Sequence, residues 1–117
     1  MTDTFDQTRT AIAADLKLAL KSRDRVGVAA LRGALNALDN ATSAGTVAGG
    51  ATEVPRLRLS SADLSRTLQR EIDARSAAAG EYRRLGRNDL AADFSREADV
   101  IRGCLRHLGG EPGTTAP

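Results

Sequence analysis

The chain has little from which to build a catalytic site. Tryptophan is absent, and Phe5, Tyr82 and Phe94 are the only aromatic residues. A core without large rings must be filled by alanine and leucine, which favours closely packed helices. Cys104 is the single cysteine, so an intrachain disulfide is excluded and a reducing compartment is comfortable. His107 is the sole histidine. Lysine and arginine together number 17 against 15 acids, a formal charge of +2, too small to imply a strong field for nucleic acid. The opening MTDTFDQTRT has no positive region followed by an apolar core, and no apolar run is long enough to span a bilayer, so neither a secretory signal nor a membrane anchor is expected and the cytoplasm is the default location.

What is present reads as one domain, since 117 residues suffice for a modest core. Phe5, Ile12, Leu16, Ala19 and Leu20 recur at helical spacing and predict a first helix from Asp3 or Thr4 to Ser22. Lys17, Lys21 and Arg23 crowd its C-terminus, where they complement the macrodipole. Asp24 is placed to cap a second helix over Arg25 to Ser43, with Val28, Leu31, Leu35 and Leu38 as its buried stripe. Gly27 and Gly33 each cost that helix about 1 kcal/mol relative to Ala; close approach of a neighbouring helix would account for Gly33. Residues 44–59, AGTVAGGATEVPRLRL, break the pattern and read as a flexible internal linker. Ser60 or Ser61 opens a third helix with a capping-box arrangement ending at Asp63. Its apolar face is Leu64, Leu68, Ile72, Ala79 and Tyr82, and Gly86 suits the left-handed cap after it. Asn88 is read as the cap of a fourth helix running to His107, with Leu90, Phe94, Ala98, Ile101, Leu105 and Leu108 on one face. Gly109-Gly110 stops it, and 109–117 reads as a disordered tail. The fold class that follows is all-α: a four-helix domain over 1–108, made of two antiparallel helical hairpins.

Three blocks of sequence together resemble the GatB/YqeY family. The first is Asp15-Leu16-Lys17 through Ala19 to Asp24, then Leu31-Arg32 and Leu35; Leu38 to Ala41 follows, with Asp39 where the family usually has Lys. The second is Glu71 to Arg75, where Ile72 and Arg75 match. The third and most specific runs from Tyr82 to Leu105, with Gly86-Arg87, Asp89-Leu90-Ala91, Glu97 and Leu105 in register. Cys104-Leu105-Arg106 stands where the family has Tyr-Leu-Pro, and the nine residues after Leu108 do not match the smaller helical tail domain that normally follows in the family, so that tail is not expected here. The resemblance implies a YqeY-like helical domain related to the tRNA-associated C-terminal region of the aspartyl/glutamyl-tRNA amidotransferase B subunit. It implies tRNA or a translation-related protein as partner. A family-level label of carbon–nitrogen ligase with glutamine as amide donor is the least favoured reading, because no catalytic residue is available to carry over.

The chemistry-bearing residues admit two readings each. Arg75 falls on the otherwise apolar face of the third helix and must be paired or reach the edge; Glu71, one turn earlier, suits an internal ion pair, and the alternative is a phosphate or partner contact. Arg32 adjoins the buried stripe of the second helix and can cover apolar surface with its stem. Arg83, Arg84 and Arg87 form the densest basic cluster and are the choice for RNA phosphates if RNA binds; an ordinary solvated turn is the alternative, and Arg87 is also placed to bond the last carbonyls of the third helix. Asp89, Asp93 and Glu97 follow at four-residue steps: they suit helix-dipole and ion-pair roles better than a metal or general acid/base site. Cys104-x-x-His107 offers only two of the ligands zinc needs. The reading is therefore a helical binding module without catalytic residues, metal or cofactor; its alternative is a structural protein–protein module that self-associates through an exposed helical face.

Overall fold

The computed structural model describes residues 4–48 and 59–109, which form four helices and no strand. They are α1 (Thr4–Lys21), α2 (Arg25–Ala48), α3 (Ser61–Arg84) and α4 (Asn88–Gly109). They pair as two antiparallel hairpins. Arg9 near the start of α1 meets Asp39 of α2 through Nε–Oδ1 at 2.8 Å, while Ala19 lies against Gly27 where the same two helices join.

Both hairpins turn through the same device. After α1, the Arg23 N–H donates to the Leu20 carbonyl at 3.2 Å and the Asp24 N–H to the Ala19 carbonyl at 2.9 Å. After α3, Gly86 donates to Arg83 at 3.1 Å and Arg87 to Tyr82 at 2.8 Å. This is the Schellman arrangement, with a left-handed residue just past the helix: Arg23 at φ 57° and Gly86 at φ 78°. The residue after it already accepts the first bond of the next helix, Asp24 from Val28 at 2.9 Å and Arg87 from Ala91 at 3.0 Å. The cap of α4 is thus Arg87 rather than Asn88, because the motif consumes three residues and leaves Asn88 inside the helix.

Capping also explains Gly27. The Asp24 carboxylate accepts from the Gly27 N–H at 3.0 Å, and a Cβ at Gly27 would collide with that same carboxylate. In α3, the Ser60 hydroxyl accepts from the Asp63 N–H at 3.1 Å while Asp63 accepts from the Ser60 N–H at 3.1 Å, a capping box with Asp in place of Glu. Those hydrogen bonds, from the Ser60 backbone first, hold the Asp63 carboxyl below the usual range.

The helices share one core. Phe5, Ile12 and Ala19 meet Ala30, Leu31, Ala34, Leu35 and Leu38 of α2, Leu64, Leu68 and Ile72 of α3, and Ala98, Ile101, Cys104 and Leu108 of α4. Alanines at 30, 34 and 98 allow the close approach that an aromatic-poor sequence requires. Three expectations need correction. Leu20 belongs to the apolar series of α1 by spacing but is 47 % exposed, because Ala19 and Ile12 already fill the side that faces the bundle. Helix α2 passes Ser43 and Gly45 and ends at Ala48, since a single interior glycine costs only about 1 kcal/mol and a long helix carries that. Helix α4 continues past His107 to Gly109. The rest of the expected linker, 49–58, and of the expected tail, 110–117, lies outside the described residues. Among the described residues, no helix is long and apolar enough to cross a membrane.

Candidate functional site

Past Ile72 in α3 and before Ala98 in α4 neither helix contributes to the shared core. The hairpin continues as a two-helix arm. Ala79 and Ala91 are buried within it, and Tyr82 stacks on Phe94 with ring centroids 5.5 Å apart and planes 3° from parallel. Tyr82 is half-buried, as is Phe94: the helical period turns them toward each other, but the arm is only two helices thick. At the tip, Leu85 is 65 % exposed.

Arg83, Arg84 and Arg87 all stand exposed around this turn. Arg84 pairs with Glu81. Arg87 Nε lies 3.6 Å from Asp89 Oδ1, so its side chain faces forward into α4, and only its backbone N–H serves the carbonyls of α3. Arg83 makes no ion pair among the described residues. Asp89, at the start of α4, is held below the usual carboxylate range by a hydrogen bond involving the Leu90 backbone, with Arg87 contributing. Exposed pairs of this kind contribute roughly 0–1 kcal/mol, so an incoming anion can displace them.

Arg75 is built differently. Its side chain is 16 % exposed and lies where the arm joins the core. Nε donates to Glu97 Oε1 at 2.9 Å and Nη1 to Glu71 Oε1 at 2.8 Å and to the Glu71 carbonyl at 3.2 Å. Burial acts to lower the pKa of this guanidinium, and the hydrogen bonds to Glu71 and Glu97 outweigh it, raising the value further. The remaining face of the guanidinium lies over Gly33 of α2, where a Cβ would collide with Nη2. Gly33 is therefore matched to the approach of one side chain rather than of a helix backbone. The spatial grouping is clear: Arg83, Arg84 and Arg87 share the tip, Arg75 belongs to a partly buried ion-pair triad about 12 Å of helix rise away, and Arg32 is an exposed residue of α2 outside both.

The three stepped carboxylates of α4 go to three different partners. Asp89 meets Arg87, Asp93 accepts from Arg25 Nη2 at 3.2 Å, and Glu97 meets Arg75. Arg96 returns the link, 3.6 Å from Asp24, so the start of α2 is tied to the base of the arm. The Cys104 thiol is buried, and burial pushes its pKa up to about 11. His107 is engaged by another helix: Nε2 lies 3.0 Å from Asp15 Oδ2 of α1. Among the described residues, no three His, Cys, Asp or Glu side chains are grouped to hold a metal ion. Two open clefts flank α2. One of about 490 Å³, between α1, α2 and α4, has Asp15, Leu31, Val100 and His107 in its wall; a smaller one of about 270 Å³ faces α3 near Asn40, Thr67 and Arg70. The Asp15–His107 and Arg9–Asp39 pairs were invisible to spacing rules, because their members are separated by 92 and 30 residues.

Comparison with known proteins returns a family model described as Yqey-like protein, matching residues 9–107. No curated protein and no solved structure matches.

Proposed function

The chain belongs to the Yqey-like protein family, and from that premise we propose that it is a non-catalytic helical binding module whose α3–α4 arm contacts tRNA in the cytoplasm. One observation carries this reading: three exposed arginines share the tip of the two-helix arm. The Schellman bonds and the Tyr82–Phe94 stack fix the turn that bears them. A preorganised set of guanidiniums loses less freedom on binding than the same groups on a mobile loop. Only the weak Arg84–Glu81 and Arg87–Asp89 pairs must open to receive phosphates. The tRNA link comes from the family resemblance; the basic tip supplies the chemistry for it.

A binding role is also supported by where the acids go. Asp89, Asp93 and Glu97 are each engaged by an arginine, which makes them structural partners rather than a set poised for proton transfer. Contact with the RNA backbone requires neither base readout nor catalysis. Binding of labelled tRNA across a salt series tests it. The affinity should fall steeply with salt, and the Arg83→Ala/Arg84→Ala/Arg87→Ala variant should bind more weakly with a slope shallower by about one unit per phosphate contact removed. No tRNA binding at low salt, or binding unchanged by the triple substitution, would overturn the proposal.

A further inference from the structure

Two surface signals coincide on the outer face of α1, far along the chain from the arm. The chain has only two lysines, Lys17 and Lys21, and both are exposed one turn apart on this helix. Neither they nor Arg23, exposed in the following turn, makes an ion pair among the described residues. Most described arginines, by contrast, are paired. The same stretch holds two strongly exposed leucines, Leu18 at 64 % and Leu20 at 47 %. At about 100° per residue, Lys17 and Lys21 form a central ridge, and Leu20 and Leu18 stand roughly 60° outside it on opposite sides.

Helix-dipole complementation accounts for Lys21 and Arg23 at the end of α1, but not for leucines left in water beside them. Arg23 also occupies a left-handed position, φ 57°, that glycine fills at lower cost. A bilayer surface fits poorly, because the lysine ridge would lie deepest, whereas an interfacial helix places its apolar residues there. A phosphate backbone offers nothing to the leucines. A second copy meeting this face about a two-fold axis would set lysine against lysine.

We propose that the outer face of α1, with its Lys17–Lys21 ridge, flanking Leu18 and Leu20, and Arg23, docks an acidic amphipathic helix of a partner protein. The complementary segment carries a ridge of carboxylates with apolar residues on either side, so that charge sets orientation and burial of the leucines supplies affinity. None of these residues belongs to the arm tip, and the proposal does not rest on the tRNA reading.

Fluorescence anisotropy of the full chain with a labelled helical peptide, bearing a Glu ridge flanked by leucines, tests it. Salt-sensitive binding is expected, weakened about tenfold or more by Lys17→Glu/Lys21→Glu and also weakened by Leu18→Ser/Leu20→Ser. The Arg83→Ala/Arg84→Ala/Arg87→Ala variant should bind the peptide like the parent. All these positions are exposed, and circular dichroism verifies that the variants fold. Three results would each overturn the proposal: equal affinity in the α1 variants, equal binding of a peptide whose leucines are replaced by glutamine, or binding to anionic vesicles in preference to the peptide.

Discussion

The sign of one substitution should reverse with its background. Gly33→Ala places a methyl group where the Arg75 guanidinium lies. In an otherwise unperturbed helix that change stabilises by about 1 kcal/mol, the difference in propensity between Ala and Gly. Here the guanidinium must move, and it is held by Glu97 at 2.9 Å and by Glu71 at 2.8 Å. Hydrogen bonds to charged groups contribute roughly 1.5–3 kcal/mol each, so loosening the pair should outweigh the propensity gain and leave Gly33→Ala destabilising by about 1–3 kcal/mol. Arg75→Ala alone leaves Glu97, whose side chain is only 14 % exposed, beside Glu71 with no cation between them. Breaking a fully buried pair costs about 3–5 kcal/mol; with this site partly open to water, about 2–4 kcal/mol is expected. Once Arg75 is gone, Gly33→Ala loses its opponent and should stabilise by about 1 kcal/mol. Urea denaturation of the four proteins, followed by far-ultraviolet circular dichroism, gives the cycle. A coupling of about 2–4 kcal/mol is expected. The same effect of Gly33→Ala in both backgrounds, or stabilisation in the parent, would refute the link between the glycine and the arginine.

Thr8→Val should stabilise by about 1 kcal/mol in the same denaturation assay, because the Thr8 hydroxyl is fully buried with no hydrogen-bond partner among the described residues and its removal keeps the side-chain shape. Arg23→Gly should raise stability by about 1 kcal/mol, since glycine adopts the left-handed turn without steric cost; no gain by thermal melting would mean that the turn tolerates a side chain freely. Cys104 should resist alkylation in the folded protein at neutral pH, with its pKa raised from 9.0 to about 11 by burial, and react at once in urea. A raised folded pKa favours the protonated thiol, so its contribution to stability is complete below about pH 9 and is lost as pH rises toward 11. Asp63 and Asp89 act in the opposite sense, their folded values being lowered: the stability they add is present above the ordinary carboxylate range and declines as acid titrates each through its folded value, which a pH series of thermal melts would show as weakening on the acid side.

The helices were legible because their signals are local. Ser60 and Asp63 are three residues apart and cap α3 as spacing demands. The alternation of Leu64, Leu68 and Ile72 marks the face that is buried. Local patterns were weaker where competing uses of a residue look alike. Asn88 is the better cap by residue type, yet the Schellman turn after α3 shifts the cap by one to Arg87. Leu20 carries the right side chain for the core and the wrong angle. Within the candidate site, the Arg83–Arg84–Arg87 grouping follows from contiguity in sequence. The pairing of Asp93 with Arg25 does not, because their separation is set by how the two hairpins dock.

By itself, the sequence determined the four helices, the positions of the two turns and the family, since each depends on contacts within a few residues or on a contiguous motif. Tertiary structure decided which charges are structural and which are available. Arg75 and Arg83 are the same residue type on one helix, eight positions apart in number. Packing places the first over Gly33 between two carboxylates and leaves the second in solvent. The physical reason is that desolvation and pairing depend on neighbours brought from other helices. No local pattern contains those neighbours.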